Sequence, residues 1–207
     1  MRLPNAAHES RPWRIRAIVS DFTLEDVWAL PAHGGADEFQ TLIENTLSSD
    51  PGNAKSLPAR ALWRVRDRLG AWFDLGRISA TAERASDAAG KPPIPGTNET
   101  SLRHRLPDDL RDTAVNLHFV SLPFVPLYRT DVEFAAELSN QTMHGVMHLA
   151  WVDQGNGRYQ GQMAVYVKPR GALGRAYMAF IKPFRHWIVY PALMRQIERQ
   201  WERRVPR

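Results

Sequence analysis

Met143–Val152 reads MHGVMHLAWV and Tyr159–Lys168 reads YQGQMAVYVK, and the turn between them, Asp153–Arg158, reads DQGNGR. Both outer runs alternate with the period of two expected of half-buried strands. The Gly and Asn residues between them tolerate positive φ, so the expected unit is a β-hairpin. On the first strand Met143, Gly145, Met147, Leu149 and Trp151 share one face, opposite His144, Val146, His148, Ala150 and Val152. On the second, Tyr159, Gly161, Met163, Val165 and Val167 lie opposite Gln160, Gln162, Ala164, Tyr166 and Lys168. The Met and Trp face is the expected core face, and the histidine face is the amphipathic one.

Downstream, Pro169-Arg170-Gly171 breaks the strand pattern. From about Gly174, apolar residues recur at helical spacing: Tyr177, Ile181, Phe184 and Ile188, then Trp187, Met194, Ile197 and Trp201. Pro183 and Pro191 each remove one backbone hydrogen bond and free the carbonyls of Ala179 and Trp187, which predicts kinks or a break. Ala176–Met194 is apolar enough to raise the question of a membrane span, but Lys182, Arg185, His186 and two prolines interrupt it. A helix laid across a concave sheet is the better reading. Lys168–Arg175, which leads into that helix, lacks a phosphate-loop pattern and reads as a plain connection.

Upstream, Pro12–Val19 alternates well enough for a first strand. Asp21 then offers an N-cap, with Glu25 and Asp26 in the first turn, so a short helix is expected through Leu30. Ala36–Leu47 reads as helical or mixed. Leu57–Phe73 carries Leu62, Val65, Leu69 and Trp72 on one helical seam. Ile78–Gly90 reads as a short polar helix and Lys91–Gly96 as loop. The whole of 76–106 reads as a probable loop or lid insertion, either at a cavity mouth or simply a surface excursion. Pro107–Leu110 starts a turn of helix, and Val115–Val120 and Phe124–Arg129 read as strands interrupted by Pro123 and Pro126. Val132–Ser139 alternates as a strand, although Thr130 and Glu133 also form a capping box that would start a helix.

The 207 residues suit one domain, 1–207, with a sizeable core. There are no cysteines, which excludes disulfides, thiol nucleophiles and thiolate metal sites and fits a reducing cytoplasm. Met1–Ser10 has no apolar core of signal-peptide length, so a cytoplasmic location is expected. The net charge of +5 invites a nucleic-acid or anionic-membrane reading. The Arg residues are nevertheless spread along the chain without a basic block, so the expectation is a solvated basic surface with no nucleic-acid partner and no integral-membrane segment.

The runs ELSNQTMHGVMHLAWV, GQMAVYVKP and GRAYMAFIKPFRHWIVYPALMRQIERQW resemble an uncharacterised bacterial family, a domain of unknown function within the START-like, pollen-allergen-like helix-grip (SRPBCC) superfamily. The resemblance is strongest from about Leu117 to Trp201 and weaker from Trp13 to Asp74, and Gly76–Leu106 is where the chain departs from it. It implies an α+β fold, with a curved antiparallel sheet wrapped around a long C-terminal helix and a central cavity. It also implies a hydrophobic or amphipathic ligand, lipid- or polyketide-like; no cofactor is expected. The alternative is a cavity enzyme, a cyclase, hydrolase or lyase, acting on such a molecule. Relatives are sometimes fused to NAD-dependent epimerase-like domains, so an epimerase-like partner is a third expectation. Fold alone does not choose among these.

Within such a cavity the expected lining is Met143, Met147, Trp151, Met163, Phe180 and Phe184, with Tyr128, Asn140 and Tyr190 as polar groups. His144, His148, Glu137 and His186 are candidates for the cavity mouth. Four residues apart on a strand, His144 and His148 are about 13 Å apart and cannot hold one metal ion together, and no metal site is expected. Glu133 and Glu137 lie where they can pair across the sheet with these histidines. Arg185 stands in a mostly apolar helical stripe and needs a partner anion: Glu133, Glu137 or a ligand carboxylate.

Overall fold

The computed structural model describes residues 1–49, 94, 99–140 and 142–203. Among them the fold is α+β. Its strands are β1 (Arg2–Leu3), β2 (Thr23–Gly34), β3 (Val125–Arg129), β4 (Glu133–Ser139), β5 (Met143–Asp153) and β6 (Tyr159–Pro169). They form one open, antiparallel six-stranded sheet in the order β1-β2-β6-β5-β4-β3. Two one-turn helices, α1 (Ala6–Glu9) and α2 (Ile15–Ile18), precede β2, and α3 (Phe39–Leu47) follows it. A long C-terminal helix is built from α4 (Gly171–Phe184), a π-helical stretch (Arg185–Val189) and α5 (Tyr190–Glu202).

The hairpin β5-β6 pairs without interruption from Met143↔Pro169 to Asp153↔Tyr159. Its turn needs three successive left-handed residues, Gly155, Asn156 and Gly157 at φ 85°, 56° and 70°, which are the residue types that adopt this conformation at least cost. The break expected at the two C-terminal prolines takes the form of the π-helical stretch lying between them. Widening the helix there accommodates the carbonyls that Pro183 and Pro191 leave without their usual donors.

Three expectations are corrected. Pro12–Val19 is not a strand: Ile15, Ile18 and Val19 are also spaced three and four apart, and helix α2 with the residue that follows it buries all three. Thr23–Leu30 is not a helix but the greater part of β2, a central strand held between β1 and β6, with Trp28 opposite Met163. Tertiary pairing there overrides the cap signal at Asp21. Val115–Val120 contains no strand. The alternative at Val132–Ser139 resolves as β4, and Thr130, which read as a helix cap, closes a turn, accepting from the Glu133 N–H at 2.9 Å. The helices expected at Leu57–Phe73 and Ile78–Gly90, and most of 76–106, lie outside the described residues.

Both faces of the sheet are covered. On one, α3 and α5 pack with Trp28, Leu30, Phe39, Phe134, Leu149, Trp151, Met163, Tyr190 and Trp201 into an apolar core. On the other, α1, α2 and residues 101–110 close over Ile15, Ile18, Val27, Leu102, Leu106, Leu110, Val146 and Tyr166. The histidine face of β5 is therefore an interior, where alternation alone had suggested an amphipathic surface.

Candidate functional site

Register places the charged residues of that second face. Ala135 pairs with His148 and Glu137 with Val146, so Glu133 and Glu137 sit on the same side as His144 and His148. Both expected carboxylate–imidazole pairs form, and both are buried. His144 Nε2 is 3.0 Å from Glu137, and His148 Nε2 is 3.0 Å from Glu133.

Glu133 accepts hydrogen bonds from the Tyr128 hydroxyl at 2.8 Å, from the Arg14 backbone N–H at 3.0 Å and from His148. Burial raises a carboxyl group's pKa, but here these donors outweigh it and hold Glu133 below its ordinary value, as a carboxylate. His148 is fully enclosed, and burial lowers its pKa, so its imidazole is neutral. Nε2–H then faces Glu133 and Nδ1 carries the lone pair. Burial and the hydrogen bond to Glu133 both push the Tyr128 phenol upward.

Against His148 stand His8 and Trp13 from the N-terminal segment. The three rings form a triangle: His8–His148 5.1 Å, Trp13–His148 5.8 Å and His8–Trp13 6.0 Å between centroids. His8 Nδ1 donates to Gln162 Oε1 at 2.7 Å, which leaves its Nε2 as the acceptor. Burial, followed by the neighbouring His148, pushes the His8 imidazole down to about 4. His148 Nδ1, His8 Nε2 and Trp13 Nε1 are all buried, and none has a hydrogen-bond partner among the described residues. Buried polar atoms are nearly always satisfied, so three unsatisfied ones on mutually touching rings mark this place chemically.

The Glu137 pair makes the contrast. Glu137 accepts from Ser101 Oγ, from the Leu102 N–H at 3.0 Å and from His144 Nε2, while His144 Nδ1 lies 3.6 Å from Glu99. Arg170 in turn reaches Glu99 at 3.3 Å and Ser139 Oγ at 2.6 Å. This network ties residues 99–102 to the sheet, and each of its imidazole nitrogens faces a carboxylate.

A third cluster lies on the helix face. A bulge between Leu24 and Asp26 takes up Glu25 as an extra residue and turns Asp26 toward the C-terminal helix. The fully buried Asp26 carboxylate receives Arg185, His186 Nε2 at 2.5 Å and the Tyr190 hydroxyl at 3.1 Å. Burial opposes its charge, but His186 and Arg185 prevail and hold its pKa low. The anion that Arg185 requires is thus Asp26, with Glu25 at 3.9 Å, and neither Glu133 nor Glu137. Asp26 was not recognisable in a segment that read as a helix.

The remaining expected site residues do not converge on one hollow. Met147, Trp151 and Met163 belong to the apolar core beside α5, and the space between sheet and helix is occupied there by the rings of Trp28, Tyr190 and Trp201. Tyr128 stands on the opposite face with Glu133. Asn140 caps the β4–β5 turn, its Oδ1 accepting from the Thr142 and Met143 N–H groups at 2.9 and 3.0 Å. The Met143 side chain lies over Gly145, where a Cβ would stand 3.1 Å from its sulfur, and Phe180 and Phe184 are exposed on α4. A surface cleft of about 600 Å³ opens between β1, the start of β2 and Lys182. Sequence reading missed His8, Trp13, Gln162 and Asp26. Only Gln162 carried a signal, its alternation in β6. Among the described residues no group of three His, Asp or Glu side chains is placed to hold a metal ion, and no helix is long and apolar enough to cross a membrane.

Compared with known protein families, residues 18–192 fit the model of a family described as protein of unknown function, DUF2867. No curated protein and no solved structure matches the chain.

Proposed function

The chain belongs to the DUF2867 family, and since that membership brings no reaction with it, we propose from the geometry that the protein binds a small hydrophobic or amphipathic molecule, lipid- or polyketide-like, and holds its hydroxyl group between His8, Trp13 and His148. The carrying observation is the trio of buried nitrogens on that face without partners among the described residues. Two of them, His8 Nε2 and His148 Nδ1, are acceptors, and Trp13 Nε1–H is a donor. A hydroxyl group at this place would donate its one hydrogen to His148 Nδ1 or His8 Nε2 and accept from Trp13 Nε1–H. Trp13 packs against a buried apolar cluster that includes Ile15, Ile18, Val19, Val27 and Tyr166, and the His8 and Tyr166 ring centroids are 5.8 Å apart, so the rest of such a ligand would meet apolar side chains. The long helix across an antiparallel sheet is compatible with the helix-grip superfamily, and we read the chain as a member whose polar centre lies on the sheet face away from that helix.

A second reading, a hydrolase or lyase acting on the same class of molecule, is favoured by one specific feature. Glu133 fixes the His148 tautomer so that Nδ1 presents a lone pair, and a carboxylate behind an imidazole is how a general base is oriented. A hydroxyl or water held at the centre would give its proton to Nδ1, with Glu133 stabilising the imidazolium. Turnover of the bound molecule separates this reading from simple binding.

Native mass spectrometry, followed by extraction of anything retained and titration with n-octanol, tests the binding. The proposal expects a retained or added alcohol in the wild type, lost in a His148→Phe variant whose circular dichroism is unchanged. Equal occupancy in both proteins, or none in either at saturating n-octanol, would overturn it.

A further inference from the structure

Of the 14 residues of α4, only Gly174 and Met178 are buried. Gly174 lies so close to the Thr142 carbonyl that a side chain there would collide with it, so this end of the helix is pressed onto the sheet. The outward side carries large apolar groups in the open: Leu173, Phe180, Phe184 and Trp187 expose 65, 61, 43 and 81% of their surface. Spaced seven, four and three residues apart, they fall within about 60° of one another around the helix axis. The rings of Phe180 and Phe184 are 5.7 Å apart, so the stripe is continuous.

Its own sequence is one-sided in charge. From Gly171 to Ile197 the chain contains no Asp or Glu, but it does contain Arg175, Lys182, Arg185 and Arg195. Arg185 is turned inward to Asp26, while Arg175, Lys182 and Arg195 are exposed. Around the same helix axis Arg175 and Lys182 fall on the side away from the apolar stripe, with Lys182 3.8 Å from Glu25, on a chain of net charge +5.

We propose that the outer face of α4, with Trp187, docks the protein onto an anionic membrane surface. The helix lies in the plane of the interface, with Leu173, Phe180, Phe184 and Trp187 sunk to the level of the acyl boundary and Arg175 and Lys182 among the headgroups. Aromatic and leucine side chains on one side and cations on the other are the pattern of an interfacial helix, and a stretch free of acidic residues complements anionic lipid. A nucleic-acid surface would use the cations but has no place for four apolar side chains. The inward face, fixed by Gly174, Met178 and Arg185, stays on the protein, so the helix lies on the bilayer without crossing it. This docking does not depend on the ligand proposed for the histidine face.

Flotation of the full chain with phosphatidylcholine vesicles, with and without phosphatidylserine, tests it. The wild type is expected to float with the phosphatidylserine vesicles and to lose binding as salt is added. A Phe180→Asp/Trp187→Asp variant, altered only at exposed positions, is expected to lose at least about tenfold in vesicle affinity. An Arg175→Glu/Lys182→Glu variant, which leaves the apolar stripe intact, is expected to lose about tenfold or more. Failure of the wild type to float, or wild-type flotation by both variants, would overturn the proposal. So would a wild-type dimer that the first variant converts to monomer, since a second copy of the chain would then cover this face.

Discussion

The two faces of this sheet bury their side chains by different physics. Beneath α3 and α5 the contacts are mainly rings and aliphatic groups, with the ion-paired Asp26 carboxylate beside Tyr190, and Trp151 and Trp201 donate to the Gly35 and His33 carbonyls at 2.8 and 2.9 Å. Beneath α1, α2 and residues 101–110 two carboxylates and three imidazoles are enclosed, and the layer holds because donors are matched to each carboxylate. An apolar face tolerates small changes of shape, losing stability in proportion to what is removed. A polar interior is all or nothing, since one missing partner leaves a desolvated group behind.

The comparison breaks most readily at Glu133. Glu133→Ala strands the Tyr128 hydroxyl, the Arg14 N–H and the His148 N–H, and is expected to cost about 3–5 kcal/mol in urea unfolding. A cost below about 1 kcal/mol would show that the polar layer is not a unit. Next comes acid. The His8 pKa is lowered to about 4 from an ordinary 6.5. Above pH 6.5 it is neutral in both folded and unfolded chains. Below that, the unfolded chain takes up a proton that the folded one refuses until about pH 4, so stability falls as pH drops through this window. The expected loss is about 3 kcal/mol, and a His8→Phe variant should show a visibly shallower acid slope in thermal melts.

Trp151→Phe probes the other face, where a gap and one lost hydrogen bond to Gly35 are expected to cost about 2 kcal/mol. If that loss exceeded the loss at Glu133, the assignment of brittleness to the histidine face would be reversed. The smallest effect is expected at Asn140, whose side chain serves the β4–β5 turn. Asn140→Ala should lower stability by about 1 kcal/mol while leaving n-octanol binding as in the wild type. Altered binding in that variant would move Asn140 from the turn to the site.

How far the sequence could be read depended on how many layers a segment touches. The hairpin, β4 and the prolines in the C-terminal helix carry local signals that survive in the fold. The short run Trp13–Val19 satisfies both periods, because Ile15, Ile18 and Val19 fit a helix while the alternation fits a strand. The pairing of Glu133 with His148 was foreseeable from parity along β4 and β5. Its burial was not, because alternation distinguishes two faces without saying what lies over the second. His8 and Trp13 reach His148 from a segment more than a hundred residues away in sequence, and no local pattern encodes that approach. Asp26 depended on a bulge, one inserted residue that reverses which way the following side chains point.

The open sheet also bears on solubility. Among the described residues the sheet is unclosed and has two edges, and an unpaired strand edge is a template on which another chain can add. Here one edge is the two-residue β1, too short to guide a growing ladder, and the other is β3, where Pro126 lacks an N–H and a bulge between Pro126 and Tyr128 disturbs the register. Blunted at both ends, the sheet resists edge-to-edge aggregation without closing into a barrel.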